Sequence, residues 1–278
     1  MTPPRPENLP PVPWYGKLAF HILPLQRGPV MRNLRRIFGD TLSNDQLVAL
    51  AQACYGHFVR FVFEYVRMMF MSAEAKKKMI RVENMEAVVK AHEQGKGVLL
   101  LTGHFGNWEV ATVAGISQFT QYKGLFHFVR RPLKPQWFNA LITHRFKRAG
   151  FGTLAKRGSL DSLLDLLAAQ AIVVFVFDQH AGARDGVLVN FLGHPAHTFK
   201  SLAIIALSTG APVIPAASWR EPDGTHVLRF GEPLPHFDCE DTNEAIRRNT
   251  QTYNDALEKI LLLHPEQWIW MHRRWKPQ

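Results

Sequence analysis

The sequence is poor in cysteine and has no long apolar run. Its two cysteines among 278 residues, Cys54 and Cys239, belong to no Cys-x-x-Cys pair and to no histidine cluster. This argues against a disulfide framework and a structural zinc site, and it fits a reducing compartment. No segment reaches about 18 uncharged apolar residues, and the proline-rich N-terminus has no apolar signal-peptide core. We therefore expect a chain that is neither secreted nor transmembrane.

The sequence also lacks a Gly-x-Ser-x-Gly nucleophile motif, so a serine acyl-enzyme is not expected. Basic residues outnumber acidic ones by 33 to 23, which gives a formal charge of +10. A surplus of this size suits nucleic acid, an anionic membrane surface or an acidic protein partner. The apolar fraction of 46% is enough for a substantial core in one large domain or two small ones.

From residue 82 onward, helical and strand-like segments alternate, which is typical of a mainly parallel sheet covered by helices. The predicted fold class is therefore α/β, in one domain over 1–278, with a proline-rich segment at 1–40, a helical segment at 41–95 and an α/β core at 96–278. The strands are predicted at 98–102, 122–129, 171–178, 212–219 and 227–230. The helices of this region are predicted at 83–94, from about 107, and at 136–149, 159–169, 199–209 and 242–263.

A long helix is predicted from a capping box at Ser43 and Gln46 to about Met71. Four of its polar residues recur at three- and four-residue spacing and form one stripe: His57, Arg60, Glu64 and Arg67. Apolar side chains fill the rest of the helix surface, a face so wide that it must be buried in protein or laid on lipid. Of these two arrangements, burial in the core is the one we expect.

The stretch LLLTGHFGNWEVATVAG places a histidine and a glutamate five residues apart at the end of a predicted strand. Open α/β folds bind ligands at this carboxyl edge of the sheet, and Gly103 and Gly106 allow a tight turn there. His104 then lies in the turn, and Glu109 lies in the first turn of the next helix. A carboxylate that accepts from the Nδ1–H of His104 would leave Nε2 free as a base, and N–H groups near Gly106–Trp108 would support an oxyanion. The alternative is an ordinary turn histidine, with Glu109 only favouring the helix dipole.

Four blocks occur in order from about residue 97 to the end of the chain. They are GHFGNWE, VRRPLKP at 129–135, the block from FDQHAGARDG to TGAPVIPA at 177–216, and HPEQWIWMHRRWK at 264–276. In their residues and their order these blocks resemble those of the bacterial lipid A late acyltransferases, a branch of the lysophospholipid acyltransferase-like superfamily. The resemblance implies a glycerolipid acyltransferase-like fold and the transfer of an acyl group to a lipid hydroxyl.

The resemblance also implies roles for individual residues. His104 is the general base and Glu109 its partner. By position, Arg131 is the family's active-site arginine, although a register that favours Arg130 stays open. A carboxylate at the end of a buried strand, such as Asp178, suits an orienting or charge-balancing role, with capping of a loop as the plainer alternative. Substrate binding is assigned to four residues, Asn107, Arg131, Asp178 and Gln179.

No metal and no cofactor are predicted. His180, His194 and His197 lie near one another in sequence, but no carboxylate stands at ligand spacing, and the resembled family needs no metal. The closing segment MHRRWK mixes basic and aromatic side chains, which would suit stacking on nucleic acid. We favour instead a strand with one face in the core, or an edge at the level of lipid headgroups.

The predicted function is transfer of a fatty acyl group from an acyl thioester to a hydroxyl of a lipid A precursor or related membrane glycolipid. The implied donor is acyl carrier protein, or else acyl-coenzyme A, and the excess positive charge suits an acidic carrier. The family's usual membrane anchor is reduced here to 14–25, so we expect peripheral contact with the cytoplasmic face of the bacterial inner membrane through the N-terminal segments. The alternatives are a lysophospholipid or aminolipid acceptor, or a basic membrane- or nucleic-acid-binding protein without catalysis. No nucleic-acid partner is predicted in the favoured interpretation.

Overall fold

The computed structural model describes residues 9–23, 25–130, 134–155 and 160–276. The helices in this part of the chain are α1 (Trp14–Ile22), α2 (Arg27–Phe38), α3 (Asn44–Met69), α4 (Ala73–Lys78), α5 (Met85–His92), α6 (Trp108–Ile116), α7 (Gln136–Arg148), α8 (Leu160–Ala168), α9 (Ser201–Thr209) and α10 (Thr242–Leu263). The strands are β1 (Ile80–Glu83), β2 (Val98–Thr102), β3 (Phe126–Arg130), β4 (Gly152–Ala155), β5 (Ile172–Val176), β6 (Gly186–Phe191), β7 (His194–Phe199), β8 (Val213–Arg220) and β9 (His226–Phe230). Short 3-10 helices span Thr120–Tyr122 and Pro265–Gln267.

Seven strands of the described residues form one sheet, in the order β1-β9-β8-β2-β5-β3-β4. Neighbouring strands are parallel, except that β8 and β9 run antiparallel. β6 and β7 form a separate antiparallel hairpin. The predicted α/β class, with a mainly parallel sheet, flanking helices and a helical N-terminal segment, is confirmed.

Both faces of the central strands are buried, which explains their continuous apolar runs. In β2, Leu99 and Leu101 join a core with α1, α2, α3, α8, α9, α10 and the C-terminal tryptophans. Val98 and Leu100 point the other way and pack with α5, α6 and α7. The sheet is therefore held rigidly between two helical layers, and its carboxyl edge is a stable place for a site.

Several elements differ from the sequence-based expectation. The segment 41–95, predicted to be helical, contains the four-residue strand β1, which pairs with β9. The hairpin β6–β7 was not predicted. Its two-residue turn places Leu192 and Gly193 at positive φ, and a leucine there gives none of the usual turn signal. The strand predicted at 122–129 begins only at Phe126.

The long helix α3 begins as predicted. The Oγ of Ser43 accepts from the N–H of Gln46 at 3.3 Å, and the Gln46 side chain accepts from the N–H of Ser43 at 2.8 Å. Its second half is the reverse of the prediction, because Glu64 is buried whereas Phe63 and Phe70 are 63% and 83% exposed. In this half the expected burial of the apolar face is therefore wrong: Glu64 of the polar stripe faces hydrogen-bond partners in the protein interior, whereas Arg67 at the end of the stripe is exposed.

None of the helices in the described ranges combines the length and the apolar character needed to cross a bilayer.

Candidate active site

The turn after β2 is held in place from three sides. The N–H of Gly106 donates to the Gln267 carbonyl at 2.9 Å, and the Ser218 hydroxyl donates to the Phe105 carbonyl at 2.9 Å. Gly106 has a φ of +55°, and a Cβ there would overlap the backbone of Ser218. A Cβ on Gly103 would lie 3.1 Å from the carboxyl carbon of Asp178. Glycine at these two positions lets the turn pack directly on its neighbours.

His104 lies in this turn and pairs with Asp178. Its Nδ1 is 2.9 Å from Oδ1 of Asp178, and its backbone N–H donates to Oδ2 at 2.8 Å. The indole N–H of Trp268 also donates to Oδ2, at 2.8 Å. Because a carboxylate only accepts, Nδ1 of His104 carries the proton and Nε2 keeps its lone pair. The His104 side chain is 19% exposed, so this geometry presents a base at the surface of the site.

The Asp178 carboxylate is ionised in this environment. Burial alone would raise its pKa, because Asp178 has no exposed surface. The charge of His104 and the hydrogen bonds that His104 donates outweigh burial, with a further contribution from His272, and they hold the pKa of Asp178 well below its usual range. An ionised Asp178 is suited to stabilise the imidazolium that forms when His104 takes up a proton.

The expected contact between Glu109 and Nδ1 of His104 is not formed; Asp178 takes that position. The reason is topological: β2 and β5 are parallel neighbours, so their carboxyl ends meet and Asp178 reaches the turn. Glu109 lies in the first turn of α6 and faces Arg145 and Arg130. Burial raises the pKa of Glu109, and the two arginines and His104 oppose that rise.

His272 completes the cluster and was missed as a site residue in the sequence. Its Nε2 lies 3.3 Å from Nδ1 of His104, and the two ring centroids are 4.7 Å apart. Burial lowers the pKa of His272, Asp178 opposes this shift, and the charge of His104 adds to it. His272 is therefore neutral at physiological pH, which leaves Asp178 free to balance a positive charge on His104. Its only sequence signal was its place in the HRRWK block.

The segment around His272 is neither a strand with one face in the core nor an edge exposed at the level of lipid headgroups, the two structures expected from its alternating basic and aromatic residues. It forms no strand, and Trp268, Trp270, Arg274 and Trp275 are all buried. Arg274 donates to the His197 carbonyl at 2.7 Å and to the Thr198 hydroxyl at 2.6 Å. The hydrogen bonds of the buried Arg274 thus fix the C-terminal segment beside the site.

Asn107 and the polar stripe of α3 form a buried network behind the turn. The Asn107 side chain accepts from the N–H of Val110 at 3.3 Å, donates to Glu64 at 3.0 Å and has no exposed surface. Glu64 also accepts from Arg220 at 3.0 Å. The His57 ring N–H donates to the Gly106 carbonyl at 3.1 Å. The Asn107 amide also donates to the Phe61 carbonyl at 3.3 Å, so both of its N–H groups are used within the protein and its visible role is to cap α6 and support the turn.

The remaining predicted residues are placed as follows. Arg131 lies outside the described residues. Arg130 ends β3, and its Nη2 donates to the Asn139 side chain at 3.2 Å. Its Nη1 is buried without a hydrogen-bond partner among the described residues. Gln179 is half-buried in the bend that directly follows Asp178. Arg130 is near enough to Glu109 for its charge to oppose the rise in the pKa of Glu109. Because Arg131 is not among the described residues, the choice between the two arginine registers stays a prediction.

A group of donors that could hold a metal coincides with this site. His104, Asp178 and His272 each offer one ligand atom, and these atoms lie within 4.8 Å of one another. The three histidines singled out in the sequence do not gather in this way, since His194 contacts the Arg36 carbonyl at 3.0 Å, away from the His180–His197 ring pair. Two imidazoles and one carboxylate would suit zinc, but the observed hydrogen bonds already pair the same atoms.

A small apolar pocket lies beside the cluster. It is lined by α2, α3, the start of α6 and the C-terminal segment, through Val30, Cys54, Tyr55, His57, Phe58, Phe61, Trp108, Trp268, Ile269, Trp270 and Met271. Trp108 connects the pocket to the base, because its ring packs edge-on against His104 with centroids 5.0 Å apart. Most of the side chains that line it are apolar or aromatic.

Comparisons with known proteins identify the family. The family model described as bacterial lipid A biosynthesis acyltransferase matches residues 12–277. A phosphatidylinositol mannoside acyltransferase of Mycobacterium tuberculosis (strain CDC 1551 / Oshkosh) is 26% identical over 253 residues, which cover 88% of this chain and 75% of that protein. The lipid A biosynthesis lauroyltransferase of Escherichia coli (strain K12) is 26% identical over 266 residues, which cover 94% and 82% of the two chains. Because the family model spans nearly the whole sequence, the chain belongs to the bacterial lipid A biosynthesis acyltransferase family.

Proposed function

We propose that this acyltransferase moves a fatty acyl group from an acyl thioester to a hydroxyl of a lipid A precursor or related membrane glycolipid. The single observation that carries the proposal is the His104–Asp178 pair: Nε2 of His104 has no hydrogen-bond partner among the described residues, and the Trp108 ring that packs on His104 lines the apolar pocket. The donor is acyl carrier protein or acyl-coenzyme A. The enzyme works as a peripheral protein at the cytoplasmic face of the inner membrane, where such acceptors are found. The relatives, which are lipid A and phosphatidylinositol mannoside acyltransferases, support a glycolipid acceptor.

The reaction begins with proton transfer to His104. Its Nε2 takes the proton of the acceptor hydroxyl as the oxygen attacks the thioester carbonyl. The negative charge of Asp178 stabilises the resulting imidazolium across the 2.9 Å contact. The tetrahedral intermediate then expels the thiolate, which recovers a proton from Nε2, so that ester and free thiol are the products. No acyl-enzyme forms.

The other site residues support this step. Asp178 is a positioning residue, since its oxygens are occupied by the protein. Asn107 positions the turn through its cap and its bond to Glu64. The carboxylate of Glu109 adds negative charge near His104, Arg130 and Arg145, whose charges oppose the rise in its pKa. Arg131 and Gln179 bind substrate. The N–H of Gly106 is taken by Gln267, so the oxyanion is stabilised by the first N–H groups of α6 instead.

The test is identification of the product. Purified protein is incubated with isotope-labelled acyl carrier protein and a total bacterial lipid extract, and acylated lipids are identified by mass spectrometry. His104→Ala is run beside His236→Ala, which changes an exposed histidine outside the site. The proposal expects one new ester-linked glycolipid with the parent and His236→Ala, and none with His104→Ala. Labelled free fatty acid alone, or equal product with His104→Ala, would overturn it.

A further inference from the structure

The second half of α3 carries an exposed apolar surface that the fold does not use. Val62, Phe63, Val66, Met69 and Phe70 are each between 43% and 83% exposed. We call these five residues the outer face of α3. Their spacing of one, three and four positions places them on one side of the helix.

The opposite side of the same helix is buried and partly polar. Glu64 and Met68 are nearly fully buried, and Phe61 packs on Trp108 with ring centroids 4.5 Å apart. The amphipathic orientation of the helix is therefore the opposite of the usual one: the Glu64 carboxylate is buried, and the large apolar side chains of the outer face are exposed to solvent. Contiguous exposed apolar residues of this kind mark a surface that contacts another apolar phase or partner.

Basic side chains lie next to the outer face along the chain and on the neighbouring helix α7. Arg67 is exposed on the same turns, and α4 follows at once with Lys76, Lys77 and Lys78 in its last turn. On the other flank, the Arg145 guanidinium of α7 stacks over the Tyr65 ring of α3, 4.5 Å from its centroid.

The helix α7 extends this surface with the same chemistry. It has no acidic residue, and its sequence ends in the basic run Arg145, Lys147 and Arg148. Trp137 and Leu141, one turn apart on the face that also carries Arg145, are 70% and 41% exposed. Tryptophan above a basic stretch is a common arrangement at the boundary between lipid headgroups and acyl chains.

We propose that the outer face of α3 is the surface by which the protein docks on an anionic lipid bilayer, with α4 and α7 supplying the flanking charge. An apolar stripe between basic flanks matches acyl chains beneath anionic headgroups. A second copy of the chain fits less well, since a two-fold contact through this face would bring the basic flanks together.

This surface lies close to the reaction centre. Phe61, on the inner side of α3, contacts Trp108, and Trp108 contacts His104. An α-helix with its side chains is about 10–12 Å across, and two ring contacts separate Phe61 from His104, so the base lies roughly 20 Å behind the docked surface. The inference rests on the proposed function for its choice of a lipid partner.

The test measures vesicle binding without any acyl donor. Full-length protein is titrated with vesicles of phosphatidylglycerol and phosphatidylcholine, and bound protein is separated by flotation. The variant Phe63→Ser/Phe70→Ser is compared with Leu188→Ser/Leu263→Ser, which changes two leucines that are 43% and 44% exposed on β6 and α10. Circular dichroism melting checks that each variant is folded.

The proposal expects Phe63→Ser/Phe70→Ser to weaken vesicle binding by about a hundred-fold, because each phenylalanine loses part of its apolar transfer energy. Leu188→Ser/Leu263→Ser should bind like the parent, and replacing phosphatidylglycerol by phosphatidylcholine should weaken binding of every folded form. Equal binding by the two double variants would overturn the proposal. So would light scattering that shows a parent dimer which Phe63→Ser/Phe70→Ser dissociates, with vesicle binding unchanged.

Failure of the proposed function gives a different result. His104→Ala removes the base but leaves the outer face of α3 intact, so it should bind vesicles like the parent. If the parent binds vesicles through this face yet transfers no acyl group, the docking surface stands and the catalytic proposal fails.

Discussion

The substitution Asp178→Asn probes the orientation of the catalytic base. The asparagine oxygen can still accept from the His104 backbone N–H and from the Trp268 indole, which are both 2.8 Å from Oδ2 in the parent. Its amide N–H group then faces Nδ1 of His104, where Oδ1 stood at 2.9 Å. Since Nδ1 must accept from that amide, the proton moves to Nε2 and the base is lost. We expect kcat to fall by about 10³ to 10⁴, the size of effect seen when an orienting aspartate in a hydrolase triad is replaced by asparagine.

The effect should lie in kcat rather than in KM, because Asp178 has no exposed surface with which to hold substrate. The assay is steady-state transfer from acyl carrier protein to the acceptor lipid. Asp165→Asn, at an exposed position of α8, serves as the matched control and should keep the parent kcat. A folded Asp178→Asn protein with kcat within ten-fold of the parent would refute the assigned tautomer.

Three further outcomes are expected. Burial, reinforced by Arg220, lowers the pKa of His57 to about 3, and burial lowers that of His226 to about 4. Both histidines stay neutral in the folded protein but take up protons in the unfolded chain below about pH 6.5. As the pH falls from about 6 to 4, each histidine therefore lowers the free energy of unfolding by about 1.4 kcal/mol per pH unit. Urea midpoints that stay constant over this range would contradict this. Gly95→Ala, at a φ of +75° in open space, should cost about 1 kcal/mol, whereas Gly106→Ala, which also meets backbone, should cost at least twice as much by thermal melting. His272→Gln should lower kcat several-fold, up to about ten-fold, and leave KM unchanged, since it weakens one contact of 3.3 Å. An unchanged kcat would show that His272 is only structural.

Much of the site could be predicted from the sequence because its residues follow strand ends. His104 follows β2, Asp178 follows β5, and both strands stand out as apolar runs that match the structure closely. Parallel strands bring their carboxyl ends to one edge, so the general location was accessible. The pairing itself was not, because it depends on β2 and β5 being neighbours. A carboxylate five residues away along the chain looked nearer than one 74 residues away.

The residues that the sequence did not reveal act through tertiary contacts. His272 lies 168 residues from His104, in a segment without regular structure, and no periodic pattern points to their contact. In α3, helical periodicity separates a polar from an apolar side but does not tell which side faces inward. The apolar side of a helix normally faces the core. In α3, Arg220 and Asn107 form hydrogen bonds with Glu64 that make its burial favourable, so the side that carries Glu64 faces inward.

The most direct test of the central claim is the ¹⁵N NMR spectrum of histidine-labelled protein, with the His104 signals assigned from His104→Gln. The account predicts a protonated Nδ1 and an unprotonated Nε2 on His104 at neutral pH, and the reverse in Asp178→Asn. A proton on Nε2 of His104 in the parent protein would contradict it, because the ring would then have no lone pair directed at the acceptor hydroxyl.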